Sequence, residues 1–433
     1  MIRGKPSSEK DQSKIVIQFF SFIVIILLLQ PFFMPIITGQ NNKVEKNPTI
    51  NNPISIYHSW KNLAAKKRIA FQSNSNGFNV LNLTDPKNPT NITEHYIAMD
   101  LQSHYITINN TLLYLSVSNK NNWSLGFVIF DVSDLQNIRI LNQFSTNRNM
   151  TWYYTSGIQV KGRYVYNLIN NYEDEIGGVL IVDCKDPNNP IEVGSYFYNG
   201  YNFDDFVIRK QHLYLMKFPE FGNLFDGRIQ IIDISNHTTP QKVGEINEEG
   251  YINAIECQND YLFLIKQNKG LKIFNISDPT SPQEKIVYNA PEEYFKDITL
   301  NGTNAYIAKN DGLAVLDISI IDKPKMIGKL KYDNERGPFR EIIVEDGLAY
   351  LFKDSENINR MLFIIDVSDP AKPKRMFPTW IGPDWVRDIT FLFVFLPITL
   401  TCIVIFVIIT VVIVTIKKSK KRNKIRELIL KSN

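Results

Sequence analysis

Val179-Leu180-Ile181-Val182-Asp183, followed by Cys184-Lys185-Asp186-Pro187, decides the fold, because the chain writes this line seven times. The other copies occupy residues 80–86, 129–134, 231–235, 273–279, 315–319 and 364–370. Each centres on an acid or its amide: Asn82, Asp131, Asp183, Asp233, Asn275, Asp317 and Asp366, spaced by 49, 52, 50, 42, 42 and 49 residues. Upstream of every anchor a short apolar run carries an aromatic, in order Phe71, Tyr114, Tyr166, Tyr214, Phe263, Tyr306 and Tyr350. A fixed period of about 40–50 residues marks a repeat architecture.

Each unit reads as four short strands. In the fourth unit, residues 206–209 come first, a Lys-Gln-His turn leads to 213–216, and 228–235 form the third strand. A turn through Pro240 then opens a fourth strand over 241–246. The third strand is apolar on consecutive residues, as expected of a strand covered on both faces. The Asp and Ser that end it suit hydrogen bonds to backbone amides, and the prolines beyond cannot continue the ladder. Seven such units predict an all-β chain with a seven-bladed β-propeller over residues 54–382.

The repeated line, as Val179-Leu180-Ile181-Val182-Asp183 and Phe363-Ile364-Ile365-Asp366-Val367, resembles the LVIVD-repeat family of β-propeller repeats. Blades 1 and 5 depart from it with Asn at the anchor, and blades 2, 4 and 6 lack the full Asp-Pro turn. Members of that family are typically surface or secreted proteins of bacteria and archaea without an assigned catalytic motif. The resemblance thus implies architecture and location more than activity.

Composition and charge are consistent with that location. The chain has 433 residues, 44% of them hydrophobic, which excludes a wholly disordered protein. Five histidines and three cysteines are too few for a zinc-rich or disulfide-stapled scaffold. The net charge of +4 is unevenly placed: residues 1–14 carry +2 and residues 417–433 carry +7, which leaves −5 for the body between them. A mildly acidic body with basic ends does not suit nucleic acid. Residues 389–416 run for 28 positions without Asp, Glu, Lys, Arg, His, Asn or Gln, and about 20 suffice to span a membrane. We read them as a C-terminal transmembrane helix and residues 417–433 as a basic cytoplasmic tail held by anionic lipid. Residues 1–39 form a hydrophobic signal peptide or signal-anchor, and 40–53 a linker. Cell-membrane localisation, single- or double-pass with the propeller outside, follows from both flanks.

The chemistry is quieter. The sequence contains no nucleophile elbow, phosphate loop, dinucleotide fingerprint or metal-ligand spacing, so neither a cofactor nor a metal is expected. The candidate site lies in the loops after each second strand and in the linkers between blades, which leave a propeller on the same face. There the chain gathers Trp123, Trp152, Tyr153, Tyr172, Tyr201, Phe203, Asp204 and Asp205. Aromatics and carboxylates on a rigid rim suit a binding surface. The expected function is a membrane-anchored extracellular binding module for a glycan, peptide or surface protein. The alternative is an extracellular hydrolase or lyase pairing Asp204 or Asp205 with Glu173 or Asp174 at the channel mouth.

Overall fold

The computed structural model describes residues 63–376 except 75, 122–123, 147–152, 172, 218–226, 268, 333–337 and 354–360, together with Thr415, Lys418, Ser419, Arg422 and Asn423, which are helical. The chain divides into two units, Met1–Tyr57 and His58–Asn433, and the first lies outside the described residues. Among the described residues no helix is long and apolar enough to cross a membrane. The stretch read as the spanning helix, like the N-terminal signal or anchor, lies almost wholly outside them.

Seven four-stranded antiparallel sheets follow one another along the chain, each built from four consecutive strands. The first strands of successive blades pack against each other, so they ring the axis, and the fourth strands lie outermost. Among the described residues blade 7 closes on blade 1 without exchanging a strand. Its seam is an apolar cluster in which Leu63, Ala70 and Leu81 meet Leu348, Tyr350 and Leu362. The Arg68 guanidinium also donates to the Asp346 carbonyl across it, at 2.9 Å.

Local chemistry explains why each repeat folds alike. All seven anchors accept a hydrogen bond on their side-chain oxygen from the amide two residues on, from 2.7 Å at Asp233 to 3.0 Å at Asp131 and Asp366. Asn82 and Asn275 do this as well as the acids, because only the acceptor oxygen is needed. The residue after each anchor donates its amide to the hairpin joining the first two strands, as Val132 does to Thr111 and Cys184 to Arg163, both at 2.8 Å. These hairpins have two residues, and the first (Lys67, Asn110, Gly162, Lys210, Asn259, Gly302 or Asp346) has φ between 48° and 61° in every blade. That backbone matches the twist of the flanking strands.

The propeller therefore has two chemically different faces. On the turn face lie these hairpins and the anchor turns. Side chains ending the first strands reach the next hairpin there: Asn109 donates to the Gly162 carbonyl at 2.9 Å, and Arg209 to that of Asn259 at 2.5 Å. The links after the second and fourth strands leave on the opposite side, the loop face.

Candidate functional site

Polar side chains are buried preferentially at the loop-face end of the two inner strands. Asn170, Asn171, Asp204, Lys266, Asp297 and Glu341 are all buried there. Along the axis towards the turn face, a cavity of about 390 Å³ opens instead, and eleven of its fifteen lining residues are apolar, Ile106, Ile158 and Val207 among them.

The loop-face end of the first strand is irregular in a repeated way. Against its second strand it slips register by one residue in blades 2 to 7, through one unpaired residue in blades 3 to 7 and through two residues facing one in blade 2. The residues left over are His104 and Tyr105, then Ser156, Asp204, Asn253, Lys296 and Arg340. A β-bulge frees a residue from the ladder and re-aims its side chain, and bulges gather at rims and functional sites. Every blade from the second to the seventh thus presents at least one polar bulged residue beside the axis.

The sequence-derived site residues separate into three groups. Trp123, Trp152 and Tyr172 lie outside the described residues. Tyr153 is half-buried at the start of blade 3, edge-on to Phe197 with ring centroids 6.4 Å apart, and burial followed by the Asp174 charge holds its phenol above the usual range. Tyr201, Phe203, Asp204 and Asp205 form the seam between blades 3 and 4 and are all buried.

At that seam the Asn170 amide acts as a clamp. Its nitrogen donates to the Phe203 carbonyl at 2.7 Å, its oxygen accepts from the Phe203 amide at 2.9 Å, and the nitrogen also reaches Ser156 Oγ at 2.7 Å. Gly177 is required beside it, since a Cβ there would stand 2.6 Å from Asn170 Oδ1 and 2.8 Å from the Phe203 ring. The Asn202 amide, oriented to suit its neighbours, donates to the Ile176 and Asn171 carbonyls, each at 3.0 Å. Asp205 accepts from the Phe206 amide at 2.8 Å, so one carboxylate oxygen fastens its own bulge.

Tyr201 is a buried element of the wall. Gln230 donates to its hydroxyl at 2.6 Å and accepts from Tyr196 at 2.7 Å. The Lys217 ammonium sits 4.8 Å from its ring centroid, and the Tyr198 ring packs at 4.6 Å. Burial pushes the Tyr201 phenol up, and that of Tyr196 up to about 12. Phe203, fully buried, belongs to the same apolar cluster as Tyr201 and Phe206.

Two features of this face escaped the reading of the sequence. The first is the bulged ring itself. The second is the residue that ends each second strand, which is Asn74, Asn119 and Asn171 in blades 1 to 3 and Lys217, Lys266, Lys309 and Lys353 in blades 4 to 7. Asn119 and Asn171 accept amides of the following loop, Asn119 from Asn121 at 2.8 Å and Asn171 from Glu173 at 3.0 Å. Lys266 and Lys309 instead pair, almost fully buried, with acids of the links: Lys266 with Glu248 at 3.1 Å, and Lys309 with Glu293 and, at 3.1 Å, Asp311. The signal was present, since five of these residues stand three positions after the strand's aromatic. Among the described residues no group of three or more His, Cys, Asp or Glu side chains could hold a metal ion.

Comparison with known proteins agrees with this architecture. A family model described as the LVIVD repeat matches residues 154–197, 224–248, 249–290, 294–333 and 357–378. No curated protein matches the chain. Among solved structures the chain is similar to one in the crystal structure of the Mitotic Checkpoint Complex, at 10% identity and TM-score 0.51, over 77% of this chain and 98% of that one. It is also similar to the computationally designed Ika8 protein, at 8% identity and TM-score 0.47, over 72% of this chain and 84% of that one. At 10% identity the first likeness concerns the fold alone.

Proposed function

Starting from a seven-bladed β-propeller that carries LVIVD repeats, we propose that this chain is a membrane-anchored interaction module that binds an extracellular glycan, peptide or surface protein on its loop face. One observation carries the reading: among the described residues six of the seven blades bulge their innermost strand at the loop-face end and set polar residues there, half-buried Asn253, Lys296 and Arg340 among them. A structural repeat needs no such variety, because the turn-face anchors do their work with Asp or Asn alone. Tyr153 of this surface is assigned to the ligand together with Trp123, Trp152 and Tyr172, which lie outside the described residues, and buried Tyr201, Phe203, Asp204 and Asp205 form the wall behind.

Membrane anchoring rests on the apolar run 389–416 and the basic residues behind it. The test is to screen the full-length protein against glycan and surface-protein arrays. Trp152→Ala with Tyr153→Ala weakens capture by about tenfold or more, equivalent to ~1.4 kcal/mol. Asp131→Ala, on the turn face, leaves the affinity of the folded protein unchanged. The opposite pattern would move the site to the turn face.

A further inference from the structure

The axial cavity towards the turn face takes no part in the loop-face reading. The inner strands of blades 1 to 5 and of blade 7 wall it, and its volume of about 390 Å³ falls within the range of small-molecule sites. Ala65, Ile108, Val160, Ile208 and Ile343 line it, and all five are half-buried. Each packs one side against an inter-blade core and turns the rest to the cavity. The other end of the inner strands buries Asp204, Asp297 and Glu341, so an apolar lining is not a general property of these strands.

Four polar residues share the wall, and three of them are engaged with backbone. Gln159 donates to the Phe206 carbonyl and Arg209 to that of Asn259, both at 2.5 Å, while Glu256 accepts from the Cys257 amide at 2.9 Å. Thr107 is the fourth. With those groups turned to the protein, a guest in the cavity meets mainly hydrocarbon. Water is a poor occupant of such a place, since it needs two to four polar partners, whereas an apolar guest gains by leaving water. An apolar cavity of about 150 Å³ already admits benzene, so this one has room for a substituted ring. We propose that the axial cavity is a second binding site, open on the turn face, for a neutral apolar small molecule. It is separate from the loop-face surface and takes a different class of ligand.

The test illuminates the full-length protein with 3-phenyl-3-(trifluoromethyl)diazirine, a neutral apolar photolabel whose carbene inserts into the bonds around it. Peptide mass spectrometry then locates the adducts, which separates those in the cavity from any elsewhere in the chain. Adducts are expected at the cavity-lining residues of the inner strands Leu101–Asn109, Tyr153–Lys161, Phe203–Arg209 and Ile252–Gln258, with a yield that saturates as photolabel is added. Thr107→Phe fills the cavity from a half-buried position, and Ile343→Asp places a carboxylate in its wall. Each lowers the yield by about tenfold, whereas Ile343→Leu retains it. Should Thr107→Phe fail to fold, saturation in wild type and the contrast between Ile343→Asp and Ile343→Leu still decide. Absence of adducts from these strands, a yield that rises without saturating, or an unchanged yield in Ile343→Asp would each overturn the proposal. Thr107→Phe leaves array capture on the loop face at the wild-type level, and loss of that capture in the folded variant would contradict two separate sites.

Discussion

At the scale of single residues, the anchor acids make the fold sensitive to acid. Hydrogen bonds from Ser133 and then the Arg139 side chain hold Asp131 down at about 2, and Asp233, Asp317 and Asp366 are lowered by their own Ser partners two residues on. A carboxyl lowered in the folded state contributes stability that is complete above its unfolded value of about 3.9 and is lost as pH falls through the folded value. Melting temperature therefore declines between about pH 4 and pH 2, and Asp131→Asn flattens part of that slope while keeping the acceptor oxygen. Asn82 and Asn275 make the same bond without titrating, so these two anchors themselves add nothing to the slope. These anchors were legible in the sequence because a side-chain acceptor, Asp or Asn, does one job in every copy. The bulged residues were not, since Ser156, Asp204, Asn253, Lys296 and Arg340 share a position and no chemistry. A repeat is read by what recurs, and a binding surface consists of what does not.

Single strands and hairpins give two further expectations. Lys67 opens a hairpin at φ 49° with Arg68 at φ 62°, a backbone that Asn adopts more readily than Lys. Lys67→Asn raises stability by up to about 1 kcal/mol in urea denaturation, and Lys67→Val lowers it. At the seam of blades 3 and 4, Asn170→Leu leaves the Phe203 amide and carbonyl without their partner in a buried place. That substitution costs about 2–4 kcal/mol, whereas Asn247→Ala on the exposed outer strand of blade 4 stays within about 0.5 kcal/mol. The four-strand unit could be read from short apolar runs and turn residues, down to which links share a face. What Tyr201 and Phe203 do could not. An aromatic in an inter-blade link looks the same in sequence whether it packs behind the rim or stands on it, and only the Gln230 bond and the Phe206 cluster place these two behind it.

For the whole molecule, closure is the chief mechanical fact. Among the described residues blade 7 meets blade 1 through side-chain packing and the Arg68 hydrogen bond, with no shared strand, so the seam carries the ring. Tyr350, 1% exposed within it, is the largest side chain of that cluster. Tyr350→Ala costs about 3–5 kcal/mol by equilibrium unfolding, and a chain truncated after Asp317 exposes an unpaired face and aggregates. Closure also fixes what function can use, because it ranges the bulged first strands round one axis and sets the loop face against the turn face. The proposal that ligand is held on the former is tested most directly by site-specific photo-cross-linking on intact cells. A photoreactive residue in place of Glu249, exposed on the loop face, should capture a ligand or partner, and one in place of Lys323, exposed on the turn face, should not. Capture from Lys323 with none from Glu249 would contradict the account.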